Sequence, residues 1–105
     1  MGAGAVRSLR VVEDPHEDLQ ELLEAMVTRL VDRPDDIVIK TMKAADGSSI
    51  TFEVFCDEDD VGAVLGSRGR HAEAMRTLLT AAAAAMRTRV YVQFLSRDHD
   101  GMPPR

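Results

Sequence analysis

Leu19, Leu22, Leu23, Met26, Val27 and Leu30 recur at the spacing of one helical face, and Asp18, Glu21, Glu24 and Arg29 fill the opposite one. That pattern predicts an amphipathic helix. Asp14 can cap its start, with Pro15 in the first helical position and Glu17 three residues after the cap. Pro34 disfavours helical geometry in Arg33, so the expected end lies ahead of that pair. The period then changes. Residues 37–42, IVIKTM, are β-branched with partial alternation. Residues 49–56 alternate fully, Ile50, Phe52, Val54 and Cys56 to one side, Thr51, Glu53 and Phe55 to the other. Asp46-Gly47-Ser48 between them is turn chemistry, which makes the pair a hairpin whose Ile50, Phe52, Val54 face meets the helices. Val61, Val64 and Leu65 mark a short helix. Ala72, Met75, Leu79, Ala82 and Met86, flanked by Leu78, mark one of about four turns. Val90, Val92 and Phe94 form one face of a closing strand. The order is α-β-β-α-α-β.

Between the two later helices stands Gly66-Ser67-Arg68-Gly69. Two glycines three residues apart allow a tight turn, because glycine alone takes positive φ without penalty. Arg70 follows at the start of a helix, so free N–H groups, the positive end of a dipole and arginines meet at one point, which suits a phosphate.

Charge sharpens this picture. The net charge of −5 argues against a polyanionic partner until it is divided along the chain. Residues 1–65 hold six Lys/Arg against fifteen Asp/Glu, and residues 66–105 hold seven against three. The sign changes at the glycine turn, leaving a local basic surface on an acidic body. Aromatic residues are only Phe52, Phe55, Tyr91 and Phe94, which weakens a reading based on base stacking.

Other chemistry is excluded by spacing. Tested as a calcium loop, Asp57, Asp59 and Gly62 take the first, third and sixth positions, but Val61 takes the fifth and Arg68 stands where a bidentate Glu is required. The acids at 57–60 are instead expected to cap the next helix. Single Cys56 permits neither an internal disulfide nor a cysteine-based zinc site and is expected to be a buried thiol. No paired carboxylates, Ser/His/Asp set or nucleotide-binding loop occurs, so no catalysis, cofactor, metal or small-molecule substrate is expected. No apolar run approaches a membrane span and residues 1–12 hold no signal-peptide core, so a cytoplasmic protein is expected. Residues 1–13 are expected to be a flexible lead, 14–95 one domain, and 96–105 a disordered tail.

The element order, with a Gly-x-x-Gly turn between its second and third helices, resembles the type II KH domain, and most closely the bacterial single-domain KhpA, or YlqC-like, family. The resemblance rests on the residues 31–36 before the first strand, Val64-Leu65-Gly66-Ser67-Arg68-Gly69-Arg70, Ala74-Met75-Arg76-Thr77-Leu78, the alanine run and Arg89-Val90-Tyr91-Val92. It implies an α+β, type II KH-like fold, a three-stranded mixed sheet with helices packed on one face. It also implies a single-stranded RNA-binding protein of the RNA chaperone type that affects cell shape. Its implied partner is a second copy of itself or a larger KH protein of the Jag/KhpB type. Two positions depart from the family pattern: Ser67 stands where lysine is common, and His71 where an aliphatic residue is usual.

In the KH mode, Gly66 and Gly69 permit the turn, the amides at 67–70 meet phosphate oxygens, and Arg68 and Arg70 add charge-assisted bonds. Val61, Val64 and Leu65 give the groove an apolar floor. His71 touches phosphate or is a solvated surface histidine; Arg76 touches RNA or forms a salt bridge. The competing reading is a KH fold kept for protein contact, with the alanine-rich helix as interface.

Overall fold

The computed structural model describes residues 15–97. The expected lead, the Asp14 cap and the tail beyond Arg97 lie outside them. Helix α1 (Pro15–Thr28) is followed by a 3-10 turn (Pro34–Asp36), strand β1 (Val38–Lys43) and strand β2 (Ser49–Cys56). A second 3-10 turn (Glu58–Asp60) leads into helix α2 (Val61–Leu65). A third (Ser67–Gly69) leads into helix α3 (Arg70–Ala85), and strand β3 (Arg89–Ser96) closes the fold.

The sheet order is β1-β2-β3. β1 runs antiparallel to β2 from Val38↔Phe55 to Lys43↔Ile50, and β3 runs parallel to β2 from Ser49↔Arg89 to Cys56↔Ser96. A parallel pair needs a crossover, here supplied by α2, the glycine turn and α3. The sheet is therefore mixed, with β2 at its centre and both outer edges formed by strands of opposite sense.

One core joins the layers. Leu19, Leu23 and Val27 of α1 and Met75, Leu79 and Ala83 of α3 pack on Ile50, Phe52 and Val54 of β2 and on Val92 of β3. Small Ala83 is fully buried while Ala82 and Met86 are half-buried, so the alanine run lets α3 approach closely at that point. Met26, Met75 and Met86 all belong to this packing.

Three details go beyond the local sequence pattern. α1 stops at Thr28, earlier than Pro34 requires, because its end tightens through Arg29 N–H to Met26 O (3.3 Å) and Leu30 N–H to Val27 O (2.9 Å). The amides of Asp32 and Arg33 then go to a tertiary acceptor, the two Asp60 carboxylate oxygens, at 3.1 Å each. Leu30 and Val31 still pack on the core without being helical. Phe55 does lie on the face away from Ile50 and Phe52, yet it is buried, and its ladder neighbours Val38 and Leu95 are half-buried. At that end of the sheet the Arg97 guanidinium donates to Asp36 O (3.2 Å) and pairs with its carboxylate, tying the chain beyond β3 to the first 3-10 turn. β3 itself runs through Ser96, one residue past the expected domain boundary.

The acids at 57–60 do more than cap. Asp57 accepts the Asp59 N–H at 2.8 Å, as expected of a cap. Asp60 makes no cap bond, and at 3% exposure its carboxylate is spent on the loop after α1. Arg33 reaches Asp57 (3.0 Å) and Asp59 (3.5 Å), and Asp57 raises the Arg33 pKa above its ordinary value. No group of three or more possible metal ligands occurs among the described residues.

Candidate nucleic-acid interface

Three of the four residues of the glycine turn have unusual backbone geometry. Gly66 sits at φ 77°, ψ 169°, a region essentially closed to residues with a side chain. Arg68 (φ 58°, ψ 26°) and Gly69 (φ 74°, ψ 18°) are both left-handed. Two positive-φ glycines follow from the sequence pattern; the left-handed Arg68 between them does not.

What fixes the turn is His71. Its Nδ1 lies 2.7 Å from Ala63 O, and since a carbonyl only accepts, Nδ1 carries the proton and the ring bridges from α3 back to α2. The ring lies directly on Gly66: a Cβ there would stand 2.5 Å from His71 Cγ and 2.8 Å from its backbone nitrogen. Gly66 is thus required twice, by its dihedral angles and by this close approach. Gly69 has open space around it and is required by φ alone. His71 is exposed, but its proton-bearing nitrogen is engaged within the protein, so it serves first as the brace of the turn.

The amides divide. Gly69 N–H donates to Gly66 O (3.0 Å) and Arg70 N–H to Ser67 O, so these two are already satisfied. The N–H groups of Ser67 and Arg68 have no partner among the described residues, and both residues are exposed. The set of four amides at 67–70 is therefore corrected to two. The guanidinium groups of Arg68 and Arg70 likewise make no ion pair or hydrogen bond to any described residue.

The groove beside the turn also differs from expectation. Val64 is completely buried in the core and cannot be part of an accessible floor. One turn of α2 has only one face for the core, and Val64 takes it. Val61 and Leu65 are half-buried and remain at the surface. Arg76 donates from Nε to Val92 O at 3.1 Å, and its guanidinium lies 5.4 Å from the centre of the Phe94 ring. It forms no salt bridge to a described residue; it covers a carbonyl on the free edge of β3, a cation over an aromatic face. Sequence reasoning could not have found Val92 or Phe94 as its partners, since the contact depends on how α3 lies against β3.

An α+β crossover unit whose two helices are joined by a rigid Gly-x-x-Gly turn, beside the edge of a three-stranded mixed sheet, defines a KH-like domain. The family model for the KhpA/KhpB KH domain matches residues 20–94. The chain belongs to that family. It is 35% identical over 77 residues to the RNA-binding protein KhpA of Oceanobacillus iheyensis, covering 73% of this chain and 100% of the relative. It is 41% identical over 63 residues to the RNA-binding protein KhpA of Listeria monocytogenes, covering 60% of this chain and 80% of the relative. The fold is also similar to part of Era in its complex with MgGDPNP and a segment of 16S ribosomal RNA, with a TM-score of 0.54 and 17% identity. That likeness covers 74% of this chain and 29% of the Era chain. At this identity it speaks for the fold alone. No helix among the described residues is long and apolar enough to cross a membrane.

Proposed function

We propose that this protein binds single-stranded RNA, holding the sugar-phosphate backbone at the 66–69 turn while the bases lie between α2, the start of α3 and the free edge of β3. The observation that carries this reading is the coincidence of two amides, Ser67 and Arg68, with two guanidiniums, Arg68 and Arg70, all without a partner among the described residues, on a turn held rigid by His71. Unbonded N–H groups and guanidiniums are the donors a phosphate accepts from, and a fixed turn loses little freedom on binding. Relatives named as RNA-binding proteins support it. Val61 and Leu65 supply the apolar side of the groove.

With two or three phosphates neutralised, affinity falls with salt at a slope of about −0.7 per contact, and sequence preference is slight. Such a loose, backbone-directed grip suits an RNA chaperone acting in the cytoplasm. The reading includes no catalytic step, cofactor or metal. Its protein partner is a second KH domain, from another copy of this chain or from a KhpB-type protein. The surface for it is the outer face of α3, where Ala74, Thr77, Leu78 and Ala81 line an open cleft of about 650 Å³ and Leu78 is 49% exposed. The same face favours the second reading, a KH fold used for protein contact only.

Replacing Ser67 and Arg68 together by Asp decides between them. Aspartate tolerates the left-handed geometry of position 68. The variant should keep the wild-type unfolding midpoint and lose at least about tenfold in affinity for single-stranded RNA. Unchanged affinity would select the protein-contact reading.

A further inference from the structure

The two residues other than glycine that adopt positive φ among those described are both arginines, Arg68 (58°) and Arg87 (57°), and they stand at opposite ends of α3. Arg87 ends that helix in a Schellman arrangement: its N–H donates to Ala84 O and the Thr88 N–H to Ala83 O, each at 3.0 Å. Glycine is favoured at this seat because it has no Cβ to penalise. Arginine therefore costs stability here. Its guanidinium recovers nothing from the described residues, since neither Arg87 nor Arg89 has a side-chain hydrogen bond or ion pair among them.

Both arginines border a cleft of about 600 Å³ whose other walls include Tyr91, Thr80, Ala84 and Ser48. Tyr91 is 52% exposed, the most open of the large apolar or aromatic side chains among the described residues. The cleft lies at the start of β3, taking Val90 from the helix-facing side of the strand and Tyr91 from the other. It is also connected to the glycine turn. Arg76, Thr80 and Ala84 stand at i, i+4 and i+8 and form one stripe along α3. Arg76 bonds Val92 O on the strand edge, and Thr80 and Ala84 reach the cleft beside Val90. The stripe covers roughly 12 Å of α3, whose sixteen residues span roughly 24 Å from the turn to the cleft at 1.5 Å per residue.

We infer that this cleft is a second contact for the same single-stranded RNA, seating an unstacked base against Tyr91 and a phosphate on Arg87 and Arg89. The inference rests on the RNA reading above and extends its track along α3. An aromatic ring in a slot accepts any base face, the guanidiniums accept phosphate oxygens, and the Thr80 and Ser48 hydroxyls can both donate to and accept from a 2′-hydroxyl or base edge. The turn alone covers about four nucleotides. The full track covers a longer strand.

The test compares hexauridylate with dodecauridylate binding to the full chain by fluorescence anisotropy. Arg87→Gly combined with Arg89→Gln removes both guanidiniums while giving the helix end its favoured residue, so folding is preserved; Tyr91→Ser removes the exposed ring separately. Each variant should bind the hexamer within about twofold of wild type and lose about tenfold for the dodecamer. The double variant should also flatten the dodecamer salt slope by about 0.7, one phosphate contact. Wild-type dodecamer affinity and slope in both variants would overturn the second contact while leaving the turn's role intact. If the Ser67/Arg68 double aspartate variant also binds both lengths normally, the RNA reading itself fails, and this extension with it.

Discussion

The five-residue helix α2 has a charged corner at each end, and the two corners dispose of their charge in opposite ways. At its start, Asp60 gives both carboxylate oxygens to the amides of Asp32 and Arg33, and Asp57 and Asp59 hold the Arg33 side chain. At its end, Arg68 and Arg70 have no partner among the described residues, and two backbone amides beside them are likewise left unbonded there. Four acids in a row look more like a binding site in the sequence than two arginines do. The structure reverses that impression: the acid corner is internally satisfied and acts as a staple, whereas the basic corner keeps its donors available. What distinguishes a site from scaffold here is the uncommitted hydrogen-bonding capacity, not the amount of charge.

The comparison can be broken most forcefully at Gly66. An added methyl group meets His71 at 2.5 Å and forces a residue with a side chain into φ 77°, ψ 169°, so Gly66→Ala should cost about 3 kcal/mol or more. Gly69→Ala carries only the left-handed penalty, about 1 kcal/mol. Urea denaturation of the two variants should show this gap. Equal costs would mean that the His71 brace does not hold the turn.

Asp60→Ala comes next. It leaves two part-buried amides without acceptors and should lower stability by about 2–3 kcal/mol, with the RNA affinity of the folded protein unchanged. Loss of affinity at full stability would instead place the acid corner within the site. Cys56 reports on the same corner. Burial, and then the charges of Asp60 and Asp57, push its thiol from an ordinary value of 9.0 up to about 11. The folded state therefore holds this proton more tightly than the unfolded chain. The resulting stability is fully present below about pH 9 and is lost as the pH rises to about 11, which denaturation midpoints across that range should record. In the native protein at pH 8, thiol reagents should label Cys56 only as fast as the fold opens. The smallest effect is expected for Arg33→Ala. Its exposed pairs with Asp57 and Asp59 are screened by salt, and the melting temperature should barely move at physiological ionic strength.

Much of the fold is legible in the sequence because the decisive signals are local. The α1 stripe, the strict alternation through β2, and the glycines of the turn each announce an element from within a few residues. What was illegible depends on contacts between distant positions. Asp60 reaches across 28 and 27 residues to the amides that end α1's neighbourhood, so no pattern near Asp60 signals its role. His71 reads as an exposed polar residue until α2 is placed eight residues back with Ala63 O within reach. Val64 fits the helical pattern of a groove floor equally well as that of a core residue, and only the way α2 lies on the sheet selects the core. The partners of Arg76 and the burial of Phe55 were illegible for the same reason, since what covers an edge or a face belongs to tertiary packing.

The parallel pairing of β2 with β3 bears on how the molecule assembles. Each pair in that ladder joins residues forty positions apart, from Ser49↔Arg89 to Cys56↔Ser96. Closing so large a loop is entropically expensive until the intervening helices have shortened the path, so the third strand should dock late, after the hairpin and α3 exist. Because the strand edge beside the glycine turn does not exist before that docking, kinetic partial structures should be unable to engage a ligand there, and recovery of binding during refolding should trail recovery of helical signal.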